Sequence, residues 1–194
     1  DGKSTIIQEN DLVSIIPVIH GGSSKKIIFE FSKKIIQVIE IKGQKLIDVK
    51  LIDDLRKKYP KIVLQAVSSN YILNNYHLKK IISLSIESEK NNILLSKKLE
   101  TDILMRFALT TQISDAIKNV GIKPNANFSI IAIGNKKNLN SLYLELKSLS
   151  VEMFSKNNES FLKKQFKITT NHTNSIFSKN PLADILVEKA TVLL

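Results

Sequence analysis

The chain has no cysteine. That excludes disulfides and thiolate metal sites, and it predicts a cytoplasmic protein, or a nuclear one as well in a eukaryote. It has no apolar run of the roughly eighteen residues a membrane helix needs, so no span and no membrane partner are expected. The opening stretch DGKSTIIQEN is polar, without the hydrophobic region of a signal peptide. It also lacks an initiator Met, as a processed or trimmed product would.

Catalytic signatures are missing too. The sequence contains no G-x-x-x-x-G-K, no G-x-G-x-x-G, no G-x-S-x-G and no H-E-x-x-H. His20, His77 and His172 lie far apart, with no metal-ligand spacing around them. His20-Gly21-Gly22 reads as a plain turn. His77 falls on an otherwise apolar helix, where a hydrogen-bonded structural histidine is the common outcome. Asp53 and Asp54 sit beside Arg56 and Lys57, as on a solvated helix face. No metal, cofactor or catalytic residue is expected, so a binding or regulatory protein leads over an enzyme.

Arginine is nearly missing. Of 29 basic residues only Arg56 and Arg106 are arginine. The net charge of +11 invites a nucleic-acid reading. Yet the lysines are scattered, in a chain equally rich in Ile and Asn. Coding bias alone gives that pattern, and it also accounts for the sequon-like triplets at Asn127, Asn158 and Asn171.

What is present suits one domain. The chain has 194 residues, 43% hydrophobic and 24% charged, enough for a real core. Residues 11–19 and 25–41 read as Ile- and Val-rich strands around a Gly21-Gly22-Ser23-Ser24 turn, which makes an N-terminal hairpin. Within the second run, Ile27, Phe29 and Phe31 alternate with Ile28, Glu30 and Ser32. A helix at 45–59 follows Gly43 and closes at Tyr59-Pro60. Then come a strand at 61–67, a loop at 68–71 and a helix at 74–90.

Residues 101–109 alternate as a strand. Ile103, Met105, Phe107 and Leu109 take one face; Leu104, Arg106 and Ala108 take the other. Apolar residues on both faces predict a central strand. The next helix carries Ile113, Ala116, Ile117 and Val120 on one stripe, with Thr110 or Thr111 as its cap and Gly121 as its C′ residue. A strand at 128–133 follows, then helices at 136–149 and 158–168. The last helix starts with Asn180 as cap and Pro181 at its first position. The whole predicts one α/β (α+β) domain over 1–194, a mixed β-sheet flanked by helices, with the N-terminal hairpin and C-terminal helices.

One stretch is similar to a known family. Ile103-Leu104-Met105-Arg106, then Thr111-Gln112-Ile113, Ala116-Ile117 and Gly121-Ile122, resembles the small regulatory subunit of the KEOPS complex, the family of the PRPK-binding protein. SSNYILNNYHLKKII at 68–82 matches the family's preceding segment, with His77-Leu78 in place. PLADILVEKATVLL is similar to its closing apolar helix. The resemblance covers about 60–194. Family members often carry a glycine between the Arg and the Gln; here Leu109 holds that place.

The resemblance implies a non-catalytic subunit. It implies binding to the small atypical kinase of the complex and help in holding tRNA by its 3′ end. The assembled complex, with its other subunits, makes threonylcarbamoyl-adenosine. Candidate tRNA contacts are Lys79, Lys80, Arg106 and Gln112, with Tyr71 and Tyr76 for stacking on unpaired bases. Arg106 has a second reading, as partner of a buried carboxylate. The kinase contact is expected on the last helix. There Leu182, Ile185, Leu186, Ala190 and Leu193 form one stripe, and Val187, Val192 and Leu194 fall off it. Leu182, Ile185, Val187, Val192 and Leu194 are the candidate kinase-binding residues. The competing readings are a stand-alone RNA-binding domain and an enzyme with a site around His20 or His77.

Overall fold

The computed structural model describes residues 25–44 and 49–193. The expected strand at 11–19, the turn after it, and His20 lie outside the described residues. Residues 25–41 do not form one strand. They fold on themselves as β1 (Lys26–Phe31) and β2 (Lys34–Ile41), an antiparallel pair closed by Phe31 opposite Lys34. Ser32 and Lys33 make the turn, with φ of 49° and 63°. Two left-handed residues in a two-residue loop match the twist of the flanking strands. The sequence concealed this because Ser-Lys lacks the usual Gly or Asn, and a two-residue turn leaves the period-2 alternation unbroken.

The remaining elements are α1 (Val49–Lys58), β3 (Val63–Ser68), α2 (Asn75–Lys90), α3 (Leu99–Ala108), α4 (Ile113–Val120), β4 (Phe128–Gly134), α5 (Lys136–Leu146), β5 (Ser150–Val151), α6 (Glu159–Gln165), α7 (Thr170–Asn174) and α8 (Pro181–Thr191). A single 3-10 turn, Ser69–Tyr71, occupies the expected loop. The five-residue α7, capped by the Thr169 side chain, is too short to leave a periodic signal.

The sheet order is β1-β2-β4-β3, with β5 pairing on the end of β2. Every pairing among the described residues is antiparallel, so the sheet is not mixed. β2 and β4 are central and read as almost continuous apolar runs because both faces are covered. Ile36, Val38, Ile131 and Ile133 face a layer of α2, α3 and α8. Ile39, Ile41, Phe128 and Ile130 face α1 and α5 through Ile52, Leu55, Leu139 and Leu142. The class is the expected one, an α/β fold whose sheet lies between two helical layers.

The main departure is 101–109, which is the helix α3 and not a strand. All of residues 102–108 are buried. A helix apolar on every side loses its 3.6-residue signature, and a short apolar run cannot then be told from a strand. Helix-favouring Leu, Glu, Met and Ala, with Glu100 and Asp102 in the first turn, were the available counter-signal.

Candidate partner-binding surfaces

Arg106 explains why α3 carries a charge. Its Nε donates to Asp102 Oδ2 at 2.7 Å. Its Nη2 donates to Ser88 Oγ at 2.9 Å, and its Nη1 to the Ala190 carbonyl at 2.7 Å. The other Asp102 oxygen accepts the Leu95 N–H at 2.7 Å. One guanidinium thus joins the C-terminal ends of α2, α3 and α8, where helices leave carbonyls unpaired and the macrodipole favours a cation. Arg106 is 1% exposed. With no surface to offer, it is not an RNA contact, and the buried-carboxylate reading holds. Tyr71, at 6%, is likewise enclosed, edge-on to Phe161 and Phe166, and has no face free for a base.

Leu109, in the place of the family's glycine, ends α3 with φ 50° and ψ 47°. That left-handed geometry is the one glycine adopts without strain. The Thr110 N–H donates back to the Met105 carbonyl at 3.2 Å. The chain keeps the turn and tolerates a side chain there.

The cap of α4 is Gln112, not Thr110 or Thr111, and no side chain caps its first turn. Thr110 Oγ1 instead accepts the Gln112 N–H at 3.1 Å. Gly121 has φ −63°, so positive φ is not its reason. A Cβ there would lie 2.4 Å from the Ile117 carbonyl oxygen, and only glycine fits. α4 buries just Ala116 and Val120, leaving Ile113 46% and Ile117 59% exposed. Helical spacing placed both inside; nothing in that spacing marks α4 as packing on one narrow edge.

His77 is structural. Its N–H donates to Asn74 Oδ1 at 2.9 Å, and its Nδ1 accepts the Leu73 N–H at 3.2 Å, which together cap α2. Burial pushes its pKa down from 6.5 to about 3. A neutral, enclosed imidazole with both jobs internal has no access to a substrate.

The candidates beside it at the start of α2 are Tyr76 and Lys80, both exposed, and Lys79, which is half-buried. Tyr76 is 38% exposed, and its hydroxyl donates to Asp184 Oδ1 at 2.8 Å, tying α2 to α8. Lys80 Nζ sits 5.5 Å from the Tyr76 ring centre, and Lys79 Nζ lies 5.4 Å from that of Phe29. Gln112, at the N-cap of α4, is exposed.

Of the expected inner stripe, Leu182, Ile185, Leu186 and Ala190 are at most 6% exposed, and Leu193, past the end of α8, is half-buried. Leu182 and Ile185 are therefore core residues of this chain and drop out as kinase contacts. Val187 is half-buried against the same core. Val192 is 72% exposed, and Leu194 lies outside the described residues. Both α8 and α4 pack on α3, and α4 leaves Ile113 and Ile117 uncovered. Among the described residues no cluster of His, Asp and Glu could hold a metal ion, and no helix is long and apolar enough to cross a membrane.

No curated protein matches the chain. Residues 47–190 match the family model described as kinase binding protein CGI-121, a span from α1 into the last turn of α8 that takes in every helix packed around Arg106. That is the family of the small KEOPS subunit indicated by the Arg-to-Gln segment, and the chain belongs to it.

Proposed function

We propose that this protein is a non-catalytic regulatory subunit that binds the small atypical kinase of the KEOPS complex and helps recruit tRNA by its 3′ end for threonylcarbamoyl-adenosine modification. The observation that carries the kinase half is the exposure of apolar side chains on two helices that pack on α3: Val192 at the end of α8, and Ile113 and Ile117 on α4. The inner stripe of α8 already docks on its own domain, so these side chains contribute nothing to the fold that requires their exposure. A partner surface gives them a reason.

Support for the RNA half is the exposed start of α2. Lys79 and Lys80 supply cations, and Tyr76 supplies a ring whose hydroxyl is already held, so stacking loses little further freedom. The Gln112 side-chain amide and the side-chain-uncapped first turn of α4 offer N–H donors suited to phosphate. The localisation that goes with this role is cytoplasmic, and nuclear as well in a eukaryote. Size exclusion of the purified chain mixed with the atypical kinase tests the reading. Co-elution is the expected result; ATP turnover by the chain alone would replace it with an enzyme.

A further inference from the structure

Glu40 has no role in either surface above. It lies on β2 opposite Ser129 of β4 and Val151 of β5, at the end of the sheet. It is 5% exposed and makes no ion pair among the described residues. Its one side-chain hydrogen bond among the described residues is from Asn127 Nδ2 to Oε1 at 3.2 Å. A carboxylate so buried is expensive to keep unpaired.

Glu40 and Ser129 stand in a narrow cleft with room at its floor for a water-sized group. Its polar lining is the buried Glu40 carboxylate with Asn127, Asn158, Ser69 and Ser129, and Asn70 and Lys156 bring donors of their own. Asn158 Nδ2 is committed to the Ser69 and Ile72 carbonyls at 2.8 and 2.9 Å, which leaves only its oxygen. Asn127 Oδ1 already accepts the Gly43 N–H at 3.0 Å. The Ser69 and Ser129 hydroxyls lie 3.3 Å apart and share one hydrogen bond. Ile72 and Phe154 add an apolar wall. A fitting ligand must donate hydrogen bonds, carry positive charge and be compact at its head.

We infer that this cleft is a binding site for a primary ammonium group, the head of a lysine side chain or of a small polyamine, with its alkyl stem along Ile72 and Phe154. An ammonium has three donors on one point charge and suits a water-sized floor, whereas a guanidinium is too broad. Lys156 also lines the cleft, is exposed and forms no ion pair among the described residues, so its own ammonium competes for the site.

Amide NMR of the full chain titrated with methylammonium chloride, against matched sodium chloride, tests this. Saturable shifts at Gly43, Asn127 and Ser129 are expected. Glu40→Gln should weaken binding about tenfold or more, since it removes a charged hydrogen bond; Glu145→Gln, on a surface carboxylate, should not. Tetramethylammonium, of equal charge but without N–H donors, should not bind, and that comparison on the unaltered chain decides the matter if Glu40→Gln fails to fold. Nα-acetyl-lysine amide and putrescine then separate the two sources of the head group. The proposal is overturned if methylammonium does not saturate, if Glu40→Gln binds equally, or if binding appears only in Lys156→Ala, because the chain's own lysine then fills the site.

Discussion

Arg106 Nε and Asp102 Oδ2 meet at 2.7 Å across one turn of α3, with both side chains at most 1% exposed. Removing one partner leaves the other charge buried. Arg106→Met should therefore destabilise the protein by about 3–5 kcal/mol. Arg106→Met with Asp102→Leu should recover part of that loss, since no charge is stranded. The recovery is incomplete, because the Ala190 carbonyl and the Leu95 N–H also lose a partner. Urea unfolding of the two variants measures it, and equal stabilities would refute the pairing as the source of the cost.

Leu109 offers a test in which burial and backbone disagree. It is partly buried against the core, yet holds a left-handed conformation. Leu109→Val keeps more apolar surface than Leu109→Gly. A β-branched residue is poorly suited to positive φ, whereas glycine adopts it freely. The αL strain of roughly 1–2 kcal/mol should win. The Gly variant is expected to be the more stable of the two by about 1 kcal/mol, read from urea midpoints. A more stable Val variant would mean that packing rules this turn.

That residue also marks how far the sequence could be read. The strands β3 and β4, the helices α2, α4, α5, α6 and α8, and the inner stripe of α8 follow from apolar periodicity and were legible. α3 was not, because a helix buried on all sides carries no amphipathic signal. The same cause misled the reading of Arg106. In a strand, a residue four positions away lies about 13 Å off; in a helix it is the next neighbour along the face. Asp102 was in view throughout, but only the helix makes it a partner. Ile113 and Ile117 were misplaced inward because periodicity reports which residues share a face, not how much of that face finds a neighbour.

His77 predicts a pH dependence. Its pKa lies near 6.5 in the unfolded chain and is lowered to about 3 by burial, so the native state keeps it neutral. Between those values the unfolded state binds the extra proton. Its contribution is fully present above pH 6.5 and is lost as pH falls toward 3, by at most about 1.4 kcal/mol per pH unit. His77→Gln should flatten that part of the profile. A variant as acid-sensitive as the original would assign the effect to carboxylates instead.

The RNA reading separates exposed from enclosed candidates. Lys79→Glu, Lys80→Glu, Tyr76→Ala and Gln112→Ala should each weaken binding to tRNA. Tyr71→Phe should not, because that ring is buried. Each lysine lost from a phosphate contact should reduce the slope of log affinity against log salt by roughly 0.7 for single-stranded RNA. Filter binding over a salt series measures both quantities. Equal binding of whole tRNA and tRNA trimmed of its 3′ tail would refute recruitment by that end.

The kinase surface is tested by where a charge can be placed. Val192 is 72% exposed, so Val192→Glu leaves the new carboxylate in water and the fold intact until a partner covers it. Ile117→Glu does the same on α4, where the side chain is 59% exposed. Both variants should unfold in urea within about 0.5 kcal/mol of the original, as surface changes do. Both should fail to co-elute with the atypical kinase, since a buried unpaired charge at an interface is costly. Ile185→Glu is the contrast: at 6% exposure it belongs to this chain's own core and should unfold the isolated protein. Val187, half-buried on that core, should fall between the two. If Val192→Glu and Ile117→Glu fold and still bind the kinase at full affinity, the contact lies off α4 and α8, and α5, with Leu144 71% exposed, becomes the next surface to charge.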